Sequence, residues 1–222
     1  MTLPLPPACL MLVTSRRRLS PDARTPRDEW MALQAFLDAA LEARVDAIQI
    51  REPDAAAQAL DACVATLVRR ASGTDVRVLV NDRVDVALAA GADGVHLPAR
   101  GLPADRVRHL MPGGIVGRSI HENDRTDSRT ADYLLFGTVF PSESKPGQPA
   151  AGVEGLARAV ARSPCPVLAI GGVTPARVAA CLDAGASGVA AIGAFLPLGR
   201  SAEAMGIGPA VRAFREALSR IC

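Results

Sequence analysis

The chain has 222 residues, 49% of them hydrophobic and 22% charged, so it is long enough to bury one substantial core without disulfides or a structural metal. The balance of 25 basic against 23 acidic residues, with only 3% aromatic residues to stack on bases, disfavours nucleic-acid binding. No apolar stretch approaches the roughly 20 residues that cross a bilayer, so we expect no membrane partner and a cytoplasmic protein.

Short runs rich in Val, Ile and Leu recur along the chain, each followed by a longer Ala-rich segment with apolar residues at helical spacing. This alternation is typical of βα units, and eight units can be counted. In chain order the strands are predicted at residues 8–13, 47–50, 76–80, 94–96, 114–117, 133–136, 167–170 and 188–192. The helices are predicted at residues 28–43, 54–71, 84–90, 103–110, 122–130, 153–162, 175–184 and 202–218. Segment 15–26, which contains three consecutive arginines, is interpreted as a loop.

The pattern of the predicted strands favours a parallel sheet with both faces covered. Most strands are apolar on successive residues, as in Val167-Leu168-Ala169-Ile170. Residues 90–95 and 184–189 resemble each other, each a helix end with a glycine followed by a strand, which indicates an internal repeat. Eight units predict an α/β fold in which residues 1–222 form a single (β/α)₈ TIM barrel domain with parallel strands. A doubly wound open sheet is the alternative.

Polar residues and glycines end the predicted strands. The active site of a parallel α/β protein lies at the carboxyl ends of its strands, so these residues are the candidates for chemistry. Along the chain they are Thr14, Gln49, Arg51, Asn81, Asp82, His96, Arg118, Ser119, His121, Gly137, Thr138, Ser142, Ser144, Lys145, Gly171, Gly172 and Gly193. Whether the loops at 15–26 and 141–152 close over this rim is left open by the sequence.

Glycines after the last two predicted strands suggest a phosphate site. Gly171-Gly172 and Gly193 stand where a barrel commonly binds phosphate through backbone N–H groups. The alternative is that these glycines only make tight βα turns. The combination of all three glycines with a basic rim favours the phosphate interpretation.

Arg51 and His121 are the side chains best suited to a charged substrate. Arg51 is two residues beyond Gln49, so both are expected to point into the barrel mouth, where a guanidinium can bind a carboxylate or a phosphate. The alternative is a surface arginine paired with Glu52 or Asp54. His121 follows the fifth strand and can exchange protons near neutral pH, although a histidine at such a place is more often solvated or capping.

Candidate metal ligands are few. Asp82 could hold Mg²⁺ beside a pyrophosphate, but its position before a helix favours an N-cap role. His96 is interpreted as a packed residue of the wall and His109 as a surface residue, and neither forms a metal-ligand pattern with a carboxylate. The five cysteines are odd in number and widely scattered, which predicts reduced thiols rather than disulfides or a zinc site.

Six phrases stand in order along residues 10–196: QIRE, LVNDRVDVALAAGADGVHLP, GRSIH, DYLLFGTVFPSESKPGQPAAG, VLAIGGVTPARV and AGASGVAAIGAF. In order and spacing they resemble the thiamine phosphate synthase/TenI family. The resemblance implies a (β/α)₈ barrel and one of two activities on related thiazole phosphates. A synthase uses Mg²⁺ and displaces pyrophosphate from an aminopyrimidine with a thiazole phosphate. A TenI-type thiazole tautomerase moves a proton to aromatise a thiazole phosphate carboxylate without a metal.

Two departures from the synthase pattern favour the tautomerase. Synthases usually carry a pyrophosphate-binding lysine after Gln-x-Arg, where this chain has Pro53. They also carry Gly-Gln-x-Asp after the fourth strand, where this chain has Pro98-Ala99-Arg100-Gly101 and so lacks the second Mg²⁺ carboxylate. The main hypothesis is therefore a thiazole tautomerase with no metal or cofactor. The alternatives are a synthase with Mg²⁺ at Asp82 and a non-catalytic regulator that binds thiazole phosphate.

The resemblance also implies roles for individual residues. His121 would shuttle the proton, and Arg51 would hold the substrate carboxylate. The substrate phosphate would bind at Gly171, Gly172, Ile192 and Gly193, and the rest of the substrate at Gln49, Asn81, Ser119 and Lys145. The expected partner is the thiazole phosphate substrate, and a homodimer fits the resemblance because dimers are common among such barrels.

Overall fold

A computed structural model of the protein describes residues 5–122, 124, 130–142, 147, 149–195 and 207–219. Eight parallel strands follow one another in chain order around a closed barrel, and the last strand pairs with the first. The prediction of a (β/α)₈ TIM barrel is therefore confirmed. The alternative prediction of an open, doubly wound sheet is wrong, because the sheet closes on itself.

The strands are β1 (Cys9–Val13), β2 (Ala47–Ile50), β3 (Arg77–Asn81), β4 (Gly94–Leu97), β5 (Ile115–Ile120), β6 (Tyr133–Phe136), β7 (Val167–Ile170) and β8 (Gly188–Ala191). The helices are α1 (Arg16–Leu19), α2 (Pro26–Glu42), α3 (Ala57–Ala71), α4 (Val84–Ala90), α5 (Ala104–Leu110), α6 (Gly152–Arg162), α7 (Val178–Asp183) and α8 (Ile207–Ser219). A 3₁₀ turn, Pro175–Arg177, precedes α7.

Two differences from the predicted elements bear on the site. The short helix α1 occupies part of segment 15–26, which the sequence predicts as a loop. β5 continues beyond its predicted end to Ile120. The side chains of Arg118 and Ser119 point to opposite faces, as successive residues of a strand do: Arg118 binds the Ala99 carbonyl, whereas Ser119 lines a cavity. Most of the helix predicted at 122–130, and residues 202–206 of the last predicted helix, lie outside the described residues.

The interior of the barrel changes from apolar to polar toward the carboxyl ends of its strands. Because successive side chains point to opposite faces, β2 directs Ala47 and then Gln49 inward, and β3 directs Leu79 and then Asn81 inward. An inner apolar cluster fills the lower barrel and includes Met11, Ala47, Leu79, Tyr133, Leu135, Leu168 and Ala190. The outward residues of the same strands pack beneath the helices in a second cluster that includes Leu10, Leu12, Ile48, Ile50, Val78 and Val80.

Helix α2 begins at a capping box. The Thr25 hydroxyl accepts a hydrogen bond from the Asp28 N–H at 3.2 Å, and the Asp28 carboxylate accepts one from the Thr25 N–H at 3.0 Å. Pro26 fits the first helical position because the N–H that it lacks would have no partner within the helix. The helix therefore starts before residue 28, its predicted first residue.

The predictions about thiols and membranes can be compared with the described residues. Cys9, Cys63, Cys165 and Cys181 are free thiols, which confirms the prediction at these four positions, and Cys222 lies outside the described residues. Burial raises the pKa of Cys63 to about 12, so its thiol stays protonated. No described helix combines the length and the hydropathy that crossing a bilayer requires.

Candidate functional site

Two adjoining cavities open at the carboxyl ends of the strands. The central cavity, about 370 Å³, is lined by residues that include Gln49, Arg51, Asn81, Asp82, Ser119 and His121. The side cavity, about 250 Å³, is lined by residues that include Arg18, Gly171, Gly172, Arg177, Ile192 and Gly193. The two are continuous, because Ser142, Ile170, Gly171 and Ile192 line both. Most of the predicted site residues within the described ranges are thus brought together, whereas Thr14, His96 and Arg118 line neither cavity. Ser144 and Lys145 lie outside the described ranges.

Gln49 and Asn81 form a polar pair in the wall of the central cavity. Gln49 Nε2 donates to Asn81 Oδ1 at 3.0 Å, and Gln49 is only 2% exposed. Its Oε1 atom is buried and has no hydrogen-bond partner among the described residues. An unpaired buried acceptor is costly, so a ligand N–H or O–H at this point of the cavity would be stabilised.

A chain of hydrogen bonds runs from the barrel interior to Ser119. His96 Nδ1 lies 2.9 Å from the Tyr133 hydroxyl, and His96 Nε2 lies 2.8 Å from Ser119 Oγ. Burial, followed by the charges of Arg51 and Arg118, lowers the pKa of His96 to about 3, so the ring is neutral at physiological pH. The prediction that His96 is a packed wall residue is confirmed, and His109 is exposed as predicted.

The partners of His96 determine its tautomer. Tyr133 is 1% exposed, and among the described residues its hydroxyl has His96 Nδ1 as its hydrogen-bond partner. A buried hydroxyl that donated to nothing would be costly, so we assign Tyr133 as the donor and Nδ1 as the acceptor. Nε2 then carries the ring proton and donates it to Ser119 Oγ. Ser119 is left to donate its own proton toward the central cavity.

His121 follows β5 and lines the central cavity with its exposed side chain. Its Nδ1 atom lies 2.5 Å from the Gly137 carbonyl oxygen, and its backbone N–H donates to the Asp124 carboxylate at 2.7 Å. A carbonyl oxygen only accepts, so Nδ1 carries the proton. With the proton on Nδ1, Nε2 is the ring nitrogen left to exchange a proton with a ligand in the cavity, as a general base or acid does.

Arg51 is exposed and lines the same cavity as Gln49, as the strand register predicts. The alternative of a surface arginine paired with Glu52 or Asp54 is wrong, because both carboxylates bind Arg16, at 3.1 Å and 2.7 Å. The guanidinium of Arg51 therefore contributes its charge to the mouth of the central cavity.

Asp82 also lies in the wall of the central cavity, with a left-handed backbone (φ +64°). The prediction of an N-cap role is wrong: the N-cap of α4 is Arg83, and no side chain caps that helix. The residue facing Asp82 is Gly101, where an added Cβ would lie 3.2 Å from Asp82 Oδ1.

The central cavity offers few protein ligands for a cation. Asp82 is the one carboxylate among the described residues of the central cavity, and no group of three or more metal-ligating side chains occurs in the described ranges. A Mg²⁺ ion here would have one carboxylate ligand from the described residues of the cavity and would take most of its other ligands from substrate phosphates and water. The site fits a bound Mg²⁺ poorly unless a diphosphate accompanies the ion.

The side cavity is built around close-packed glycine backbone. Gly171 (φ +97°) and Gly172 (φ +61°) have backbone conformations that favour glycine, and an added Cβ would lie 2.6 Å from Thr138 Cγ2 and 2.4 Å from the Pro141 carbonyl oxygen, respectively. Within the described part of the chain, the amides of Gly172 and Gly193 donate to no backbone carbonyl. Such amides can bind the oxygens of an anion.

Sequence reasoning missed two contributors to the site. Arg18 lines the side cavity, and the signal that could have found it is the run Arg16-Arg17-Arg18 directly after β1. Tyr133 does not line a cavity at the site, but it orients His96 from the barrel interior. No local pattern marks Tyr133, because it begins an otherwise apolar strand.

Comparison with known proteins gives consistent matches over most of the chain. Residues 23–195 match the family model described as thiamine monophosphate synthase. A thiamine-phosphate synthase of Roseiflexus castenholzii is 39% identical over 166 residues, which cover 72% of this chain and 73% of that protein. A thiamine-phosphate synthase of Mycobacterium bovis is 38% identical over 192 residues, covering 79% of this chain and 84% of that protein. The solved structure of thiamine phosphate pyrophosphorylase from Pyrococcus furiosus has a TM-score of 0.78 and 29% identity over 96% of each chain.

The matched segment contains the predicted residues of both cavities. It runs from before α2 to after β8, so it includes the central-cavity side chains from Gln49 to His121 and the glycines of the side cavity. The chain therefore belongs to the thiamine monophosphate synthase/TenI family, and it is an enzyme of thiamine biosynthesis.

Proposed function

We propose that the protein is a thiazole tautomerase, which aromatises a thiazole phosphate carboxylate by moving one proton. The observation that carries the proposal is the position of His121, whose Nδ1 is bound to the Gly137 carbonyl and whose Nε2 is left for proton transfer, on a cavity that also holds Arg51. A proton shuttle and a cation for the carboxylate are the groups that this isomerisation needs.

Each part of the substrate has a matching part of the site in this proposal. The phosphate would bind in the side cavity at the amides of Gly172 and Gly193, and Arg51 would hold the carboxylate. The ring would lie in the central cavity, where Ser119 donates a hydrogen bond and His121 transfers the proton. A well-placed general acid or base contributes about 10² to 10⁴ in rate. Aromatisation of the ring makes the step downhill.

The charges of the central cavity support a substrate without a diphosphate. Pro53 lines the cavity where the family's synthases usually have a lysine. Gly101 faces Asp82 where they usually have a second carboxylate. A leaving diphosphate and its cation carry charge that these two positions no longer match.

Thiamine phosphate synthesis is the second candidate, and the names of the relatives support it better than they support the tautomerase. The family model and the proteins of R. castenholzii and M. bovis are all named for the synthase. The unpaired Oε1 atom of Gln49 also favours it, because an aminopyrimidine carries an N–H donor. In this reaction Asp82 would hold the Mg²⁺, and Arg51, Arg100 and Lys145 would neutralise the pyrophosphate.

Two assays on the purified protein separate the candidates. One measures aromatisation of the thiazole phosphate carboxylate with a metal chelator present. The other measures thiamine phosphate formation from the aminopyrimidine pyrophosphate and thiazole phosphate with Mg²⁺. The proposal expects turnover in the first assay and none in the second. Turnover in the second assay alone would establish the synthase, and thiazole phosphate binding without turnover in either would support the regulatory alternative.

A further inference from the structure

The short helix α1 places an arginine in the wall of the side cavity. Arg18 lines this cavity together with Gly171, Gly172 and Gly193. Its Nη2 atom lies 3.0 Å from the position that a Cβ on Gly193 would occupy, so the guanidinium lies directly against the backbone of that glycine.

Helix α1 is held in place by a partly buried network of charges. Arg16 is 6% exposed, and its guanidinium binds Glu52 at 3.1 Å, Asp54 at 2.7 Å and Glu29 at 2.9 Å. The backbone N–H of Arg16 also donates to the buried Glu52 carboxylate at 3.1 Å. Leu19, at the other end of α1, is 5% exposed. The backbone that carries Arg18 is therefore anchored beside the carboxyl end of β2.

The lining of the side cavity is cationic. Among its described residues, Arg18 and Arg177 are charged and no carboxylate is present. Arg177 Nη1 donates to the Gly172 carbonyl at 2.6 Å, and its guanidinium lies 4.8 Å from the centre of the Phe140 ring. The Arg18 guanidinium lies against Gly193, whose amide donates to no backbone carbonyl among the described residues. A planar guanidinium beside such an amide is a suitable arrangement for a phosphate.

We propose that Arg18 binds the phosphate group of the substrate, which makes it a binding residue separate from Arg51 at the substrate carboxylate. The assignment rests on the proposed function only in requiring a phosphate ester, and it holds for either thiazole phosphate reaction. Gly193 has a matching role: a side chain at this position would displace the Arg18 guanidinium from the cavity wall.

Titration of the purified protein with inorganic phosphate tests the proposal. The variants are Arg18→Gln and, as a matched control on the same helix, Arg17→Gln, whose side chain is 70% exposed and pairs with Asp54. Loss of a charge-assisted hydrogen bond predicts that Arg18→Gln raises the Kd for phosphate by about 10-fold to 100-fold. The control should bind phosphate like the unchanged protein. Arg18→Lys, which keeps the charge but loses the planar fork, should fall between them.

Two further measurements keep the outcome decisive. Gly193→Ala should weaken phosphate binding while the thermal unfolding midpoint stays close to that of the unchanged protein, because it displaces a flexible side-chain end. If Arg18→Gln fails to fold, Arg18→Lys and Gly193→Ala carry the test. Phosphate binding within twofold of the unchanged protein in all folded Arg18 and Gly193 variants would overturn the proposal. The titration needs no turnover, so failure of both thiazole assays would leave this result interpretable.

Discussion

His96 Nε2 lies 2.8 Å from Ser119 Oγ, at a point where His96 is only 1% exposed and Ser119 borders the central cavity. With Tyr133 donating to the opposite ring nitrogen, the imidazole holds the serine oxygen as an acceptor. The direction of a hydroxyl that borders the central cavity is thus set by two residues that do not line the cavity.

Replacing Tyr133 with Phe should leave His96 Nδ1 without a donor. The free energy of unfolding should fall by about 1 to 3 kcal/mol, the cost of an unpaired buried polar group, as measured by urea denaturation. Because Ser119 would no longer be held in one orientation, kcat should fall more than KM rises. ¹⁵N NMR of the imidazole tests the assignment itself: a proton on Nδ1 of His96 in the unchanged protein would contradict it.

The stability of the fold should depend on pH through His96. Burial lowers its pKa to about 3 in the folded protein, whereas a histidine in the unfolded chain titrates near about 6.5. Between these values the unfolded chain binds a proton that the folded protein does not, so the free energy of unfolding falls as the pH falls. The slope approaches about 1.4 kcal/mol per pH unit below about pH 5.5, where the unfolded histidine is almost fully protonated.

Denaturation at about pH 5.5, 5 and 4.5 measures this slope. His96→Gln should flatten it by about 1.4 kcal/mol per pH unit, since Gln carries no titrating proton. His109→Gln serves as the control, because His109 is exposed and its replacement should leave the slope unchanged. An equally steep profile in the His96 variant would show that other groups produce the acid sensitivity.

Replacing His121 with Ala should lower the kcat of thiazole aromatisation by about 10² to 10⁴ with little change in the unfolding midpoint. His121 is exposed; its ring binds the Gly137 carbonyl and its backbone N–H binds Asp124, so little packing is lost. His109→Ala is the matched control, an exposed histidine bound to the Asp105 carbonyl on the outside of the barrel. An unchanged tautomerisation rate in His121→Ala would remove this histidine from the mechanism.

Introducing a carboxylate at Gly101 should create a cation site beside Asp82. An added Cβ would lie 3.2 Å from Asp82 Oδ1, so Gly101→Asp places two carboxylates at one point of the cavity wall. We expect a tighter Kd for Mg²⁺ by calorimetry than in the unchanged protein. Gly101→Asn is the control for shape, because the added Cβ also lies 2.9 Å from Pro98 Cδ and that loop must shift in both variants. Equal Mg²⁺ affinity in the two variants would mean that the residues at 82 and 101 do not act together.

The architecture and most of the site could be predicted from the sequence. Apolar runs alternating with helical segments indicated eight βα units, and the barrel confirms them. The carboxyl ends of parallel strands meet at one face, so polar residues that end successive strands are neighbours whatever their distance in sequence. For this reason Gln49, Asn81, Ser119 and His121 were predictable members of a single cavity.

Only the tertiary structure decided which groups face one another. Spacing alone favours Asp82 as a helix cap, but its left-handed backbone places it in the cavity wall opposite Gly101. Within the arginine run after β1, no local pattern separates the buried Arg16 from the cavity-lining Arg18. The carboxylates that fix Arg16 include Glu52, which is 36 residues away. The position of a long charged side chain depends on partners that folding brings close. The periodicity of the sequence does not identify those partners.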